Sequence, residues 1–200
     1  IEITKKPQAE WEADPNSVFN FENRLSMGSK DSVPLGELCE TYFGIQAFDR
    51  SSAIREAKET QHCLPIIDGG DIFPYSIAVP KKFFDYRPEN IKSGGDWKVY
   101  ERKRVVARQI GQVPVVGMCE GGVLASNTLY SIYPKNSDLD LNYLLLVLNS
   151  AFIRSYWRSR YSDSKQLFPK IKGYQLKELP IPVVPIEEQH RFGSLATEML

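Results

Sequence analysis

This sequence predicts a mixed α/β (α+β) fold: short, mostly antiparallel strands, one long packed helix and a C-terminal helix. Three observations lead there. Short apolar, β-branched runs recur between glycine and proline punctuation from residue 33 to residue 133. Between residues 141 and 161 the apolar residues Leu141, Leu144, Leu145, Leu148, Phe152 and Tyr156 recur at three- and four-residue spacing, which makes one buried helical face. After Pro185 the pattern turns helical again, with Glu187 and Glu188 in the first turn, where the helix dipole favours acids.

Residues 1–32 are polar with scattered aromatics (Trp11, Phe19, Phe21) and read as an outer strap or a linker from an upstream domain. Val33 to Gln46 begins as a short helical turn and passes into a strand, with Gly44 as a bend at positive φ. Residues 49–61 predict a surface loop or short helix. Leu64–Asp68 is a strand closed by a Gly69-Gly70 turn, Ser76–Val79 another stopped by Pro80, and residues 85–97 a long loop. Asp68 and Asp71, flanking the two glycines, read as turn acids.

The central stretch is Tyr100-Glu-Arg-Lys-Arg-Val-Val-Ala-Arg-Gln-Ile-Gly111. With side chains alternating at period two, Val105 and Ala107 face one side and Arg104, Val106 and Arg108 the other, so the strand carries arginine to a sheet rim before breaking at Gly111. Pro114–Cys119 and Val123–Tyr133 predict a hairpin around Glu120-Gly-Gly122. Leu141–Tyr161 predicts one continuous helix. Proline keeps Leu179–Pro185 extended. The domain therefore runs from 33 to 185, and 186–200 begins a C-terminal helix.

Net charge is zero, but its distribution is uneven. Residues 98–172 hold 12 Lys/Arg against 5 Asp/Glu, whereas residues 1–97 hold 11 against 16. Such asymmetry within one domain predicts a basic face suited to a polyanion. The cations between Lys98 and Lys172 are expected to converge into one concave saddle. Cys39, Cys63 and Cys119 form no CxxC pair, and His62 and His190 complete no zinc set, so free buried thiols in a reducing cytoplasm are expected. No apolar run approaches the roughly twenty residues of a membrane span. A first residue of Ile1 predicts a piece of a longer protein.

Eight segments, in order, resemble the TaqI-like C-terminal specificity domain of adenine-specific DNA methyltransferases and, next, the domains of type I restriction specificity subunits. They are Leu35-Gly-Glu-Leu with Phe43-Gly-Ile-Gln46; Leu64-Pro-Ile-Ile with Gly70-Asp-Ile72; Arg104 to Gly111; Asn127 to Ile132; Leu144 to Ser150; Phe168-Pro-Lys-Ile171; Leu179-Pro-Ile-Pro182; and Glu187-Glu-Gln189. The resemblance implies a target-recognition domain with a bent sheet, placed beside a methyltransferase domain or subunit and gripping double-stranded DNA while the target adenine leaves the stack. The Asn-Pro-Pro-aromatic motif of adenine methylation and a glycine-rich cofactor loop are absent from these residues. Catalysis, with its S-adenosylmethionine, is accordingly expected elsewhere in a parent of type IIG or type I-like organisation, and no cofactor or metal within this chain.

On that reading Arg102, Lys103, Arg154, Arg158, Lys165, Lys170 and Lys172 are candidates for phosphate contacts. Arg104 and Arg108 carry charge to the sheet rim. Arg108 can pair bidentately with guanine, and Gln46, Gln109 or Asn127 with adenine. Two alternatives come from other classes. A magnesium-dependent nuclease would use Glu101-Arg-Lys103 with Asp85 or Asp96, although the same tripeptide pattern occurs at three other places in the chain. A helical interaction or spacer module would use Ile186, Phe192, Leu195 and Leu200 of the last helix.

Overall fold

The structure is a computed structural model that describes residues 32–161 and 169–198. The segment before Ser32, Lys165 and Leu200 lie outside the described residues. The elements run in this order: β1 (Ser32–Pro34), α1 (Leu35–Leu38), β2 (Cys39–Phe43), β3 (Gln46–Ala47), α2 (Arg50–Ala53), β4 (Ile54–Arg55), β5 (Cys63–Ile67), β6 (Lys82–Asp85) and β7 (Ile91–Ser93). They continue with α3 (Trp97–Tyr100), β8 (Arg104–Arg108), β9 (Val116–Cys119), β10 (Leu124–Ala125), β11 (Leu129–Pro134), α4 (Leu141–Asn149), α5 (Ala151–Tyr161), α6 (Gly173–Lys177), β12 (Pro180–Pro182) and α7 (Ile186–Glu198).

The main sheet has the order β2-β11-β8-β9 and is antiparallel throughout. A second sheet, β10-β5-β6-β4, contains one parallel pair, β10 with β5. Two short ribbons, β1-β12 and β3-β7, complete the strands. The main sheet lies between two cores. Val105, Ala107, Val116, Tyr130 and Ile132 join Leu144, Leu145, Leu148, Ile153 and Trp157 on the helix side. Val106, Leu129 and Cys119 join Ile66, Ile67, Phe84, Leu124 and Tyr100 on the side of the second sheet. The period-two alternation read in β8 thus sorts its residues between two apolar layers.

That sandwich revises several expectations. β8 has a hydrogen-bonded neighbour on each side, so it is an interior strand. The hairpin expected around Glu120-Gly-Gly122 does not form. Residues 116–119 pair with β8 on one side, residues 129–132 pair with β8 on the other, and Leu124 and Ala125 cross to β5. Residues 76–79 make only an isolated bridge, Ile72 to Ile77, and the expected loop 85–97 contains β7 and the start of α3. Gly44 is not at positive φ. Its backbone instead lies so close to the β10–β11 connection that a Cβ would sit 2.0 Å from Ser126 O.

The long helix breaks at Ser150, whose ψ of 158° is extended. At the break the buried Asn149 amide ties the helix end to β9, with Nδ2 donating to Val116 O at 3.0 Å and to Leu145 O at 3.1 Å and Val116 N–H donating to Oδ1 at 3.4 Å. Ser150 Oγ then accepts from Ile153 N–H at 3.2 Å and caps α5, which buries Ile153 and Trp157 in place of the expected Phe152 and Tyr156.

α7 packs on α4 through Gln189, Gly193 and Ala196. Gln189 is a clamp: Oε1 accepts from Asp140 N–H at 2.9 Å, while Nε2 donates to Asp138 O and Val184 O at 3.1 and 3.0 Å. The residues expected to pair with another helix, Ile186, Phe192 and Leu195, remain exposed, and the Phe192 ring lies 6.4 Å from that of Tyr143 on α4. No helix among the described residues is long and apolar enough to cross a membrane.

Candidate nucleic-acid interface

One end of the main sheet is organised by Thr128. The C-terminal ends of β5 and β8 both reach it. Gly69 N–H donates to Thr128 Oγ1 at 2.8 Å, and Gln109 N–H donates to Thr128 O at 2.8 Å. Ser126 Oγ lies 2.7 Å from Thr128 Oγ1, and Ser126 N–H donates to Ile67 O at 3.0 Å, so the 126–128 turn ties both sheets together. The end of β2 joins them: Ile45 N–H donates to Ala125 O at 2.8 Å and Gly44 N–H to Leu129 O at 3.0 Å. The last strand-like contribution comes from residues 169–171. Ile110 bridges Lys170, Gly111 N–H donates to Pro169 O at 3.1 Å and Ile171 N–H to Gln109 O at 2.7 Å.

These bonds bring Gln46, Arg108, Gln109, Asn127 and Lys170 to a single rim, with Lys172 two residues beyond. Gln46, Arg108, Gln109 and Asn127 are half-buried, and Lys170 and Lys172 are exposed. Lys172 lies over the Tyr174 ring at 5.8 Å, and Gln46 Oε1 accepts from Ser93 Oγ at 3.4 Å. Beside Arg108 is a shallow cavity of about 390 Å³ lined by Arg50, Asp68, Gly69, Gly70, Ile110 and Thr128. Arg108 is already anchored: Nε and Nη2 both donate to Ile72 O, at 3.1 and 2.6 Å. One fork of the guanidinium is thereby occupied.

Arg50 is not among the residues the sequence points to, and the Gly69-Gly70 backbone reads there only as a turn. Arg50 Nη2 meets Asp68 Oδ2 at 2.6 Å, and Asp68 N–H donates to Asp71 Oδ2 at 2.7 Å, which bears out the reading of these acids as turn formers. Burial pushes the Asp68 carboxyl up, but hydrogen bonds from Ser126 and Arg50 and the Arg50 and Lys82 charges outweigh it, leaving it below its ordinary value. A Ser-Asn-Thr turn after a β-run was the available signal for Thr128, because short hydroxyl side chains fold back onto nearby backbone.

The remaining candidates lie elsewhere. Arg104 is fully buried. It donates to Ser131 Oγ at 3.0 Å, Val123 O at 2.6 Å and Arg102 O at 3.3 Å, and lies over the Tyr100 ring at 5.2 Å. All these partners are uncharged, and burial pulls the guanidinium below its ordinary pKa. Arg104 is therefore a structural arginine holding the 120–123 turn, not a rim residue, because the second sheet covers the face on which the strand alternation places it.

Arg102 and Lys103 stand at the opposite end of β8. Lys103 pairs with Glu120 at 2.9 Å, and Arg102 bonds Lys98 O at 2.8 Å and covers Tyr133 at 4.9 Å. Five residue steps of strand separate Lys103 from Arg108, roughly 17 Å, about two Debye lengths at physiological salt. The cations of β8 and its flanks thus stand at both ends of the strand. Arg154 and Arg158 are exposed on α5, one position round from buried Ile153 and Trp157.

The nuclease constellation is not assembled. Arg87 Nε binds the Asp85 carboxylate at 2.9 and 3.0 Å, and Asp96 caps α3 by accepting from Lys98 N–H at 3.0 Å. Among the described residues no group of three or more His, Cys, Asp or Glu side chains could hold a metal ion.

The TaqI-like C-terminal specificity domain matches residues 64–181, more than half of the chain. The chain belongs to this family. The specificity domain also shares its fold with larger proteins. The HsdS subunit from Thermoanaerobacter tengcongensis superposes with a TM-score of 0.57 at 20% identity, over 87% of this chain and 38% of that one. A structure described as the basis of complex assembly and conformational transition of the type I R-M system gives 0.58 at 19% identity, over 96% of this chain and 43% of that one. The type IIG restriction endonuclease BpuSI gives 0.54 at 13% identity, over 84% and 26%. The specificity domain therefore spans less than half the length of each. No curated protein matches it. The matched residues 64–181 include β8, β11 and residues 169–171, which meet at Thr128.

Proposed function

We propose that this specificity domain is the duplex-DNA sequence-recognition module of a restriction–modification adenine-N6 methyltransferase, of type IIG or type I-like organisation, and that the Thr128 rim faces the DNA. The observation that carries the reading is the convergence of β2, β5, β8, the β10–β11 turn and residues 169–171 on that rim within a chain of this family. Gln46, Gln109 and Asn127 present amides that can bond adenine edges, and the free edge of Arg108 can donate to guanine. Lys170 and Lys172, exposed beside them, supply charge for phosphates, and Arg50 joins them when a phosphate competes with Asp68. Side chains mounted on ends of strands from two sheets are held to a fixed register, which base reading requires. The partner methyltransferase domain or subunit, with its S-adenosylmethionine, supplies the chemistry.

The test is selection of a preferred duplex from a randomised pool by the full chain, followed by fluorescence anisotropy at several salt concentrations. Arg108→Ala is expected to erode discrimination between preferred and mismatched duplexes by about 1–3 kcal/mol. Lys170→Ala is expected to weaken all duplexes evenly and to reduce the salt slope by about one. Failure of the pool to yield any preferred sequence would overturn the reading.

A further inference from the structure

Beside Arg108 the chain makes a turn whose construction is more elaborate than a connection needs. Residues 71–78 fold back on themselves: Phe73 N–H donates to Ser76 O at 2.9 Å, Ala78 N–H to Asp71 O at 2.7 Å, and Ile72 bridges Ile77. Tyr75 sits at φ 72°, the left-handed region that a bulky side chain avoids. Surrounding bonds hold it there. Tyr75 N–H donates to Val116 O and Met118 N–H to Tyr75 O, both at 2.9 Å, stapling the turn to the edge of β9. The approach is close enough that a Cβ on Gly117 would lie 2.3 Å from Ser76 O. Tyr75 itself packs against the helix-side core, and Ile72 is fully buried. What this rigid tip exposes is apolar: Phe73, 49% exposed, and Pro74.

The place of the tip matters as much as its rigidity. The Arg108 guanidinium grips the carbonyl of Ile72, the group covalently joined to the Phe73 amide. An exposed aromatic ring is thus carried on the residue next to the anchor of a cation at the rim, with exposed Ile110 lining the cavity beside Arg108. Cations beside a rigid exposed aromatic match a duplex, which offers phosphates outside and stacked base faces inside. A loose loop would lose the advantage of the ring, because ordering it on binding costs free energy. Tethering at Tyr75, Gly117 and Arg108 removes that cost in advance.

Resting on the recognition reading, we infer that Phe73 is a wedge that enters a base step of the bound duplex and stacks there, favouring the unstacked DNA from which a target base can leave. Arg108 holds the wedge in register through Ile72 O, so that reading and unstacking are coupled at one anchor.

The experiment uses the full chain and the duplex it selects from a random pool, with 2-aminopurine placed at successive positions. Wild-type chain is expected to raise 2-aminopurine fluorescence at one step. Phe73→Ala is expected to remove that rise and to weaken binding on the order of tenfold, and Phe73→Trp to retain both. Phe73→Ala should regain affinity on a duplex carrying an abasic site at that step, where unstacking has already occurred. Because the ring is exposed, the urea midpoint of Phe73→Ala should match wild type. An unchanged fluorescence rise in Phe73→Ala, or equal weakening on intact and abasic duplexes, would overturn the wedge while leaving recognition standing. Absence of a selected duplex for wild type would instead overturn the recognition reading beneath it.

Discussion

Replacing Gly44 separates two reasons for glycine at one bend. An added Cβ would lie 2.0 Å from Ser126 O and 2.5 Å from Ala125 O, against about 3.5 Å for an ordinary contact. Relief requires the end of β2 to withdraw from the β10–β11 connection by roughly 1.5 Å. That movement breaks the bonds from Ile45 N–H to Ala125 O and from Gly44 N–H to Leu129 O. Each is worth about 1 kcal/mol net, and residual overpacking adds about 1–3 kcal/mol. Gly44→Ala and Gly44→Asn should therefore both cost about 3–5 kcal/mol. Gly122 is the contrast: its φ is 86° and a Cβ would meet nothing within 4 Å. Gly122→Ala should cost about 1–2 kcal/mol for the left-handed backbone alone, and Gly122→Asn less, because asparagine tolerates that region. Urea unfolding followed by tryptophan fluorescence measures all four. A Gly44→Asn midpoint close to wild type would refute the close-approach argument, since only positive φ distinguishes asparagine from alanine there.

Three further outcomes are expected. Arg104→Met should destabilise by about 2–4 kcal/mol in urea, because Val123 O and Ser131 Oγ lose a charged donor; a loss under about 0.5 kcal/mol would refute its assignment as a structural arginine. Stability should hold from pH 7 to about 5 and fall as pH drops through and below ~4. The reason is that hydrogen bonds from Arg87 hold the Asp85 carboxyl below its ordinary value, and Asp68 is likewise depressed, so both contribute above the unfolded pKa and lose that contribution on protonation. A urea midpoint constant from pH 7 to 3, or an undiminished acid slope in Asp85→Asn, would contradict this. Cys39, Cys63 and Cys119 are all buried, and burial pushes the Cys39 thiol up to about 12, so at pH 8 a thiol reagent should leave the native chain unlabelled and react fully in guanidinium; prompt native labelling would show that the cores open.

The candidate site was legible in part. Alternation in Arg104–Arg108 correctly divides the strand between two faces, and Gln46, Arg108, Gln109 and Asn127, residue types able to bond base edges, lie on one rim. Where Arg104 was concerned, alternation could say which face it occupied but not that a second sheet covers that face. Phe73 and Arg50 carry no pattern of their own, since an exposed phenylalanine or arginine becomes informative only when its neighbours in space are known.

Local chain chemistry, then, determined what depends on a few adjacent residues. The prolines keep 179–185 extended, the acids after Pro185 begin α7, and Asp68-Gly-Gly-Asp71 makes its turn. Tertiary structure alone decided which strands pair, which arginine is enclosed and where the helix breaks. Residues 116–119 and 129–132 take β8 as partner instead of each other, and the Asn149 side chain at the end of α4 bonds Val116, 33 residues away. Those choices are made between groups distant in sequence, where the free energy comes from joint burial of two layers and the satisfaction of their buried polar groups. A pattern of nearby residues does not encode that sum.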